Sequence, residues 1–241
     1  YFRDNHSVKK VDVIYNTPFI NEYPTYQSTV RKDAGLQEDQ PLMVYIGGIN
    51  ERRGAYELAE SIRMLPEYFN FVFVTGSKET LKNDIFRIAT KNTKPGYGAK
   101  VIFLPPVPAG DVVHYFKDAD VSVITRLPPK KYFNPQREFS MPNKLFESLF
   151  AGLPVVVGNS KELSDFVEYH NIGLVADCSV PQQLSEKIIE AYKNRKKYIK
   201  KHEEINALEE NFGWKRQAAF LGSIYHALYI NNSDTFDNLS N

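Results

Sequence analysis

Cysteine is almost absent from this chain: Cys178 stands alone among 241 residues. No internal disulfide can form, and a reducing, cytoplasmic setting is the simplest expectation. Long apolar runs are missing too, since none approaches the ~18 residues of a membrane-spanning helix. Neither sign of charge is in excess, with Lys+Arg 30 against Asp+Glu 29 and a net charge of +1. That balance gives no global reason to expect nucleic acid as a partner. The histidines His6, His114, His170, His202 and His226 are scattered, with no metal-ligand spacing between any pair, so no metal is expected. Neither G-x-G-x-x-G nor G-x-x-x-x-G-K occurs, which removes the dinucleotide fingerprint and the P-loop. No G-x-S-x-G surrounds Ser140, which reads as a helix cap rather than a nucleophile. There is no internal repeat and no low-complexity tract. The chain opens on Tyr1, so the lack of a visible signal peptide carries no weight.

What the chain does have is apolar content ample for a core (42%) and, from Pro41 onward, a βα rhythm. Short continuous apolar runs at 42–46, 71–75, 101–104, 121–125, around Val155 and at 173–176 read as buried strands. Amphipathic stretches at 53–65, 78–90, 111–117, 161–169 and 182–192 read as the helices between them, and the C-terminal tract is helical, with Trp214 opening its last segment. Residues 11–15 (VDVIY) read as one more short strand, broken by Asn16, Thr17 and Pro18. The pattern predicts an α/β fold: a Rossmann-like, doubly wound parallel sheet covered on both faces, with ligands gathered at the carboxyl ends of its strands.

The segment FSMPNKLFESLFAGLPVVVGN, residues 139–159, carries the most chemistry. Pro142 opens a helix, Gly152 closes it and Pro154 blocks its continuation. Asn143, Lys144 and Glu147 share one face, while Leu145, Phe146, Leu149 and Phe150 pack the opposite one. A helix start carries free N–H groups and a partial positive charge. Lys144 adds a full cation there, unfavourable unless an anion lies nearby. Glu147, one turn on, has a carboxylate suited to a diol such as a ribose edge. The bland alternative is an ordinary amphipathic helix with Lys144 and Glu147 as a surface pair. A second constellation, Gly47, Gly48, Ile49, Asn50, Glu51, Arg52, Arg53 and Gly54, follows the first strand of the βα series. Its glycines let backbone approach a ligand, and Arg53 can clamp a phosphate. By itself this is a weak signal, because glycines at such turns are routine.

PNKLFESLFAGLPVVV resembles the donor-binding segment of GT-B glycosyltransferases of the GT4-like "group 1" family. The resemblance implies the C-terminal half of a GT-B fold, with 25–230 as the nucleotide-sugar-binding domain. Residues 1–24 would then be the tail of a missing N-terminal domain with its linker, and 231–241 a disordered polar tail. It implies a donor site of Gly47, Gly48, Arg53, Asn143, Lys144, Leu145 and Glu147. Arg53, Lys144 and Glu138 would be the residues nearest the chemistry, with no cofactor beyond the sugar nucleotide. The implied partners are that donor and a saccharide or lipid-linked acceptor. The implied reaction is sugar transfer with retention of configuration, in polysaccharide or glycoconjugate synthesis, by a fragment inactive alone.

Two departures from the family's pattern stand out. The basic residue that follows its first glycine is replaced by Gly48. Its first glutamate, two helical turns ahead of Glu147, falls on Phe139, with Glu138 one place earlier. An epimerase of the same fold and a non-catalytic binding domain are the alternatives, the second favoured by Gly48. The basic run Lys193, Arg195, Lys196, Lys197, Lys200 and Lys201, followed by Glu203, Glu204, Glu209 and Glu210, reads as a solvated, self-paired helix. Its sharper reading is a peripheral contact with the inner membrane surface.

Overall fold

The computed structural model describes residues 11–127, 139–200 and 202–237. A short helix α1 (Val30–Asp33) leads into β1 (Leu42–Ile46), α2 (Ala55–Arg63), β2 (Asn70–Val74), α3 (Glu79–Thr90) and β3 (Lys100–Leu104). Then come α4 (Val112–Phe116), β4 (Val121–Ile124), α5 (Asn143–Phe150), β5 (Val155–Gly158), α6 (Lys161–Tyr169) and β6 (Gly173–Ala176). Helices α7 (Pro181–Lys193), α8 (Arg195–Tyr198), α9 (His202–Phe212) and α10 (Trp214–Asp237) complete the chain order. The strands form a six-stranded sheet in the order β3-β2-β1-β4-β5-β6. Every pairing in it is parallel.

Alternation along β1 divides the core. Met43 and Tyr45 face the layer holding Leu58, Ile62, Ile85 and Ile188. Leu42, Val44 and Ile46 face Val30, Val112, Tyr115 and Phe116. All five β1 residues are buried, which is why the strand reads as one apolar run. Under β4 and β5, α5 and α6 contribute Leu145, Phe146, Leu149, Leu163 and Val167 to a third cluster. The strand order reverses between β1 and β4, which are paired through Met43 and Val121. In open parallel sheets this switch point leaves a crevice at the carboxyl ends of the strands.

Three sequence expectations need correction. Residues 11–15 form no strand: the Tyr15 N–H donates to Gln217 Oε1 at 3.0 Å. The Tyr15 ring packs on Phe146 and Phe212, with centroids 5.5 and 5.7 Å away. Its β-branched neighbours mimic a strand, but the partners it finds are side chains rather than a sheet edge. The helix expected from Arg53 begins at Ala55, because Gly54 takes a left-handed φ of 80° and confines 51–53 to a single 3-10 turn. Helix α10 runs on to Asp237, past residue 230; no proline or glycine in 231–237 stops it.

The stretch before α1 is tied to the domain. Asn21 N–H donates to Gly110 O at 2.9 Å. The buried Asp111 carboxylate accepts from Asn21 Nδ2 at 2.6 Å, Thr25 N at 3.1 Å, Thr25 Oγ1 at 2.5 Å and Tyr26 N at 2.9 Å. Those bonds, led by Thr25 and Asn21, hold its pKa down to about 2. A Cβ at Gly110 would lie 2.6 Å from the Asn21 side chain, so any larger residue there would displace it from Asp111.

Candidate functional site

Two loops meet at the switch point. After β1 the chain turns at Gly47 with φ 80°, a conformation that favours glycine. Asn50 then caps the 3-10 turn, its side chain accepting from Arg53 N at 3.0 Å. Arg53 Nη1 reaches back to donate to Gly48 O at 3.1 Å. Opposite lies the start of α5, where Pro142 supplies no capping side chain. Leu145 N–H already donates to Pro142 O at 3.0 Å, which leaves the outermost amides of the helix to face the crevice. A cavity of about 580 Å³ lies between the loops, lined by Arg52, Arg53, Thr125, Arg126, Ser140, Asn143 and Lys144 among others. A depression of about 630 Å³, lined by Tyr56, Thr80 and Asp84, adjoins it through Asn50 and Arg52.

Lys144 is half-buried and folds back over β1, with Nζ 3.8 Å from the centroid of the Tyr45 ring. Its Cε lies 3.5 Å from where a Gly47 Cβ would be. Burial, and then the Arg53 charge, push its pKa down to about 7, while Glu147 pulls the other way. Glu147 is half-buried in turn, and burial raises its carboxyl pKa against the opposing pull of Lys144. An exposed Arg53 beside a half-buried Lys144, at the uncapped start of α5, forms a site suited to an anion.

The structure brings Arg53, Asn143 and Lys144 to one cavity; Gly47 and Gly48 do not line it but lie behind these cations, Gly47 beside Lys144 Cε and Gly48 O bonded to Arg53 Nη1. Glu147 lies a turn away and does not line it. Leu145 departs from expectation: its side chain is fully buried in the core and its N–H is taken, so it offers the cavity nothing. Glu138 lies outside the described residues. Sequence reasoning missed Thr125, Arg126 and Tyr45. Arg126 donates to Ser140 O at 3.0 Å and to Ser140 Oγ at 2.7 Å. Thr125 Oγ1 is buried beside the Tyr45 hydroxyl. The available signal was position, since Thr125 and Arg126 directly follow β4 at the mouth of the sheet. Among the described residues no group of His, Cys, Asp or Glu is arranged to hold a metal. Nor is any described helix long and apolar enough to cross a membrane.

The fold is the Rossmann-like α/β domain seen in GT-B structures. Residues 27–209 match the family described as Glycosyl transferases group 1, and the chain belongs to it. It is similar to spore coat protein SA of Bacillus subtilis (strain 168), 23% identical over 218 residues, covering 88% of this chain and 55% of that protein. HepE of Anabaena, solved in complex with UDP and glucose, superposes with a TM-score of 0.65 at 17% identity, over 90% of this chain and 57% of that one. Sucrose-phosphate synthase of Thermosynechococcus elongatus gives a TM-score of 0.64 at 18% identity, over 85% and 50%. The chain thus spans about half the length of the relatives it matches.

Proposed function

We propose that this chain binds the donor for a glycosyltransferase that moves a sugar from a nucleoside diphosphate to an acceptor hydroxyl. The observation that carries this reading is the convergence of Arg53, Lys144 and the α5 start on one cavity at the switch point. HepE has been solved with UDP-glucose as well as UDP, which favours a uridine nucleotide as the first ligand to try. In transfer, the diphosphate leaves as the glycosidic bond breaks, and negative charge builds on its oxygens. Arg53, Lys144 and the helix amides are already in place to meet that charge, so they act without reorganising. Glu147, one turn along α5 and beside the cavity rather than in its lining, is the proposed acceptor for the ribose hydroxyls. Retention of configuration and a role in polysaccharide or glycoconjugate synthesis belong to the same proposal. So does a second half of the protein that carries the acceptor site.

The basic run favours its plainer reading. Arg195 pairs with Asp120 at 3.2 Å and Lys200 with Glu204 at 3.6 Å. Among the described residues of the run, Lys193, Lys196 and Lys197 are exposed to meet anionic lipid. Calorimetric titration of UDP-, GDP- and TDP-sugars onto the chain tests the central reading. At least one should bind, and Lys144→Ala should weaken it about tenfold, the scale of one charge-assisted contact. Failure of all three to bind would falsify the proposal.

A further inference from the structure

Arg53 and Lys144 reach the cavity from different elements, yet one residue touches the anchorage of both. Tyr45, near the end of β1, is 1% exposed. Its ring face carries the Lys144 ammonium at 3.8 Å. Its hydroxyl donates to Gly48 O at 3.2 Å, and the same carbonyl accepts from Arg53 Nη1 at 3.1 Å. Phenylalanine would serve a purely packing role here, as Phe71 and Phe73 do in the same cluster. The hydroxyl therefore has a job beyond packing: it bonds the phosphate-side loop at Gly48 O and also meets Arg53 and the buried Thr125 hydroxyl.

Both anchors share one property: they are electrically neutral. A carboxylate holding Arg53 or Lys144 would cancel the charge it positioned. A ring face and a carbonyl orient a cation and leave its charge for a ligand. We propose that Tyr45 is a positioning residue for the donor diphosphate. Its ring presents Lys144, and its hydroxyl, through the Gly48 carbonyl, fixes Arg53. This rests on the donor-site reading above. The other charges around Lys144 are Arg53, Arg52 and Arg126 on the cavity wall and Glu147 on its own helix. None of them replaces the ring as the surface on which the ammonium rests.

The test is UDP binding to the whole chain, by calorimetry, in a set of paired variants. Tyr45→Phe keeps the ring and deletes the hydroxyl. It should weaken UDP about 3- to 10-fold, the scale of one hydrogen bond, and that loss should vanish in an Arg53→Ala background. Tyr45→Leu removes the ring as well and should cost a further factor of about 3 to 30 that vanishes in Lys144→Ala. The phenyl ring of Tyr45→Phe thus rescues the Lys144 share and leaves the Arg53 share lost. Should Tyr45→Leu not fold, the near-isosteric Tyr45→Phe arm decides alone. Normal UDP affinity in Tyr45→Phe, or an equal loss with and without Arg53, overturns the role of Tyr45 and leaves the donor site standing. A wild-type chain that ignores UDP removes both.

Discussion

Lys144 stands where an ammonium is costly without a ligand, and that cost has consequences at the residue scale. Its pKa lies near 7 in the fold, against 10.5 for an ordinary lysine. Below pH ~7 the folded chain carries the full penalty of a partly buried charge. The penalty then fades as pH rises from there toward the unfolded value. Lys144→Met should therefore raise the urea midpoint most below neutrality, with the gain shrinking up to pH ~10. A gain independent of pH would count against this account. For donor binding the sign reverses, because a diphosphate favours the charged lysine. Affinity for UDP-glucose should fall as pH rises above ~7, and binding should take up a proton. Titration in buffers of different ionisation enthalpy reads that proton directly. Gly47→Ala tests the same contact from below, since its φ of 80° makes any side chain strained, by about 1–2 kcal/mol. The new methyl would sit 3.5 Å from Lys144 Cε, an ordinary contact, so it is strain in the loop that carries Gly48 that should lower stability and UDP affinity together.

At the scale of elements, α5 serves two masters. Its outer start faces the cavity while Leu145, Phe146 and Leu149 lock it to the sheet. Leu149→Ala should cost about 2–5 kcal/mol in chemical denaturation, the range for a fully buried leucine. The stretch 21–26 gathers four bonds on the Asp111 carboxylate, beside the Asn21–Gly110 backbone bond and the Tyr26–Asp33 bond. Asp111→Ala should speed hydrogen exchange at Thr25 and Tyr26 while leaving β1 protected; unchanged exchange would show that the carboxylate does not hold them. The pH sign here is the usual one for a carboxylate with a depressed pKa. Its contribution is present above the unfolded value near 3.8 and is lost as pH falls through about 2.

Much of this architecture was legible in the residues. The buried strands announce themselves as short apolar runs, and Pro142 and Gly152 bracket α5. The alternation of Lys144 and Glu147 with Leu145 and Phe146 shows which face of α5 is wet. What escaped reading depends on neighbours in space. Tyr45 looks like one more core aromatic until α5 lays a lysine across it. Thr125 and Arg126 look like the end of a strand until β4 pairs with β1. Leu145 drew notice because a helix start exposes backbone, while its side chain obeys the apolar stripe and is buried. The 11–15 run has the composition of a strand and lacks only a sheet edge to join.

At the scale of the whole molecule, binding of a ligand to the native state alone should raise stability. At a concentration near 100 times Kd the gain is about 2.7 kcal/mol, a rise of roughly 5–10 °C in Tm for a chain of this size. A thermal melt with and without UDP-glucose checks it in an afternoon. The order β3-β2-β1-β4-β5-β6 carries one more implication. The chain builds β1, β2 and β3 before returning across the sheet to lay β4 beside β1, so the crevice is closed by partners far apart in sequence. During folding, no early hairpin or local helix pair can display even a weak version of the anion trap. Ligand capture is thus a reporter of the last long-range pairing. A refolding chain should stay blind to nucleotide until its two half-sheets have joined.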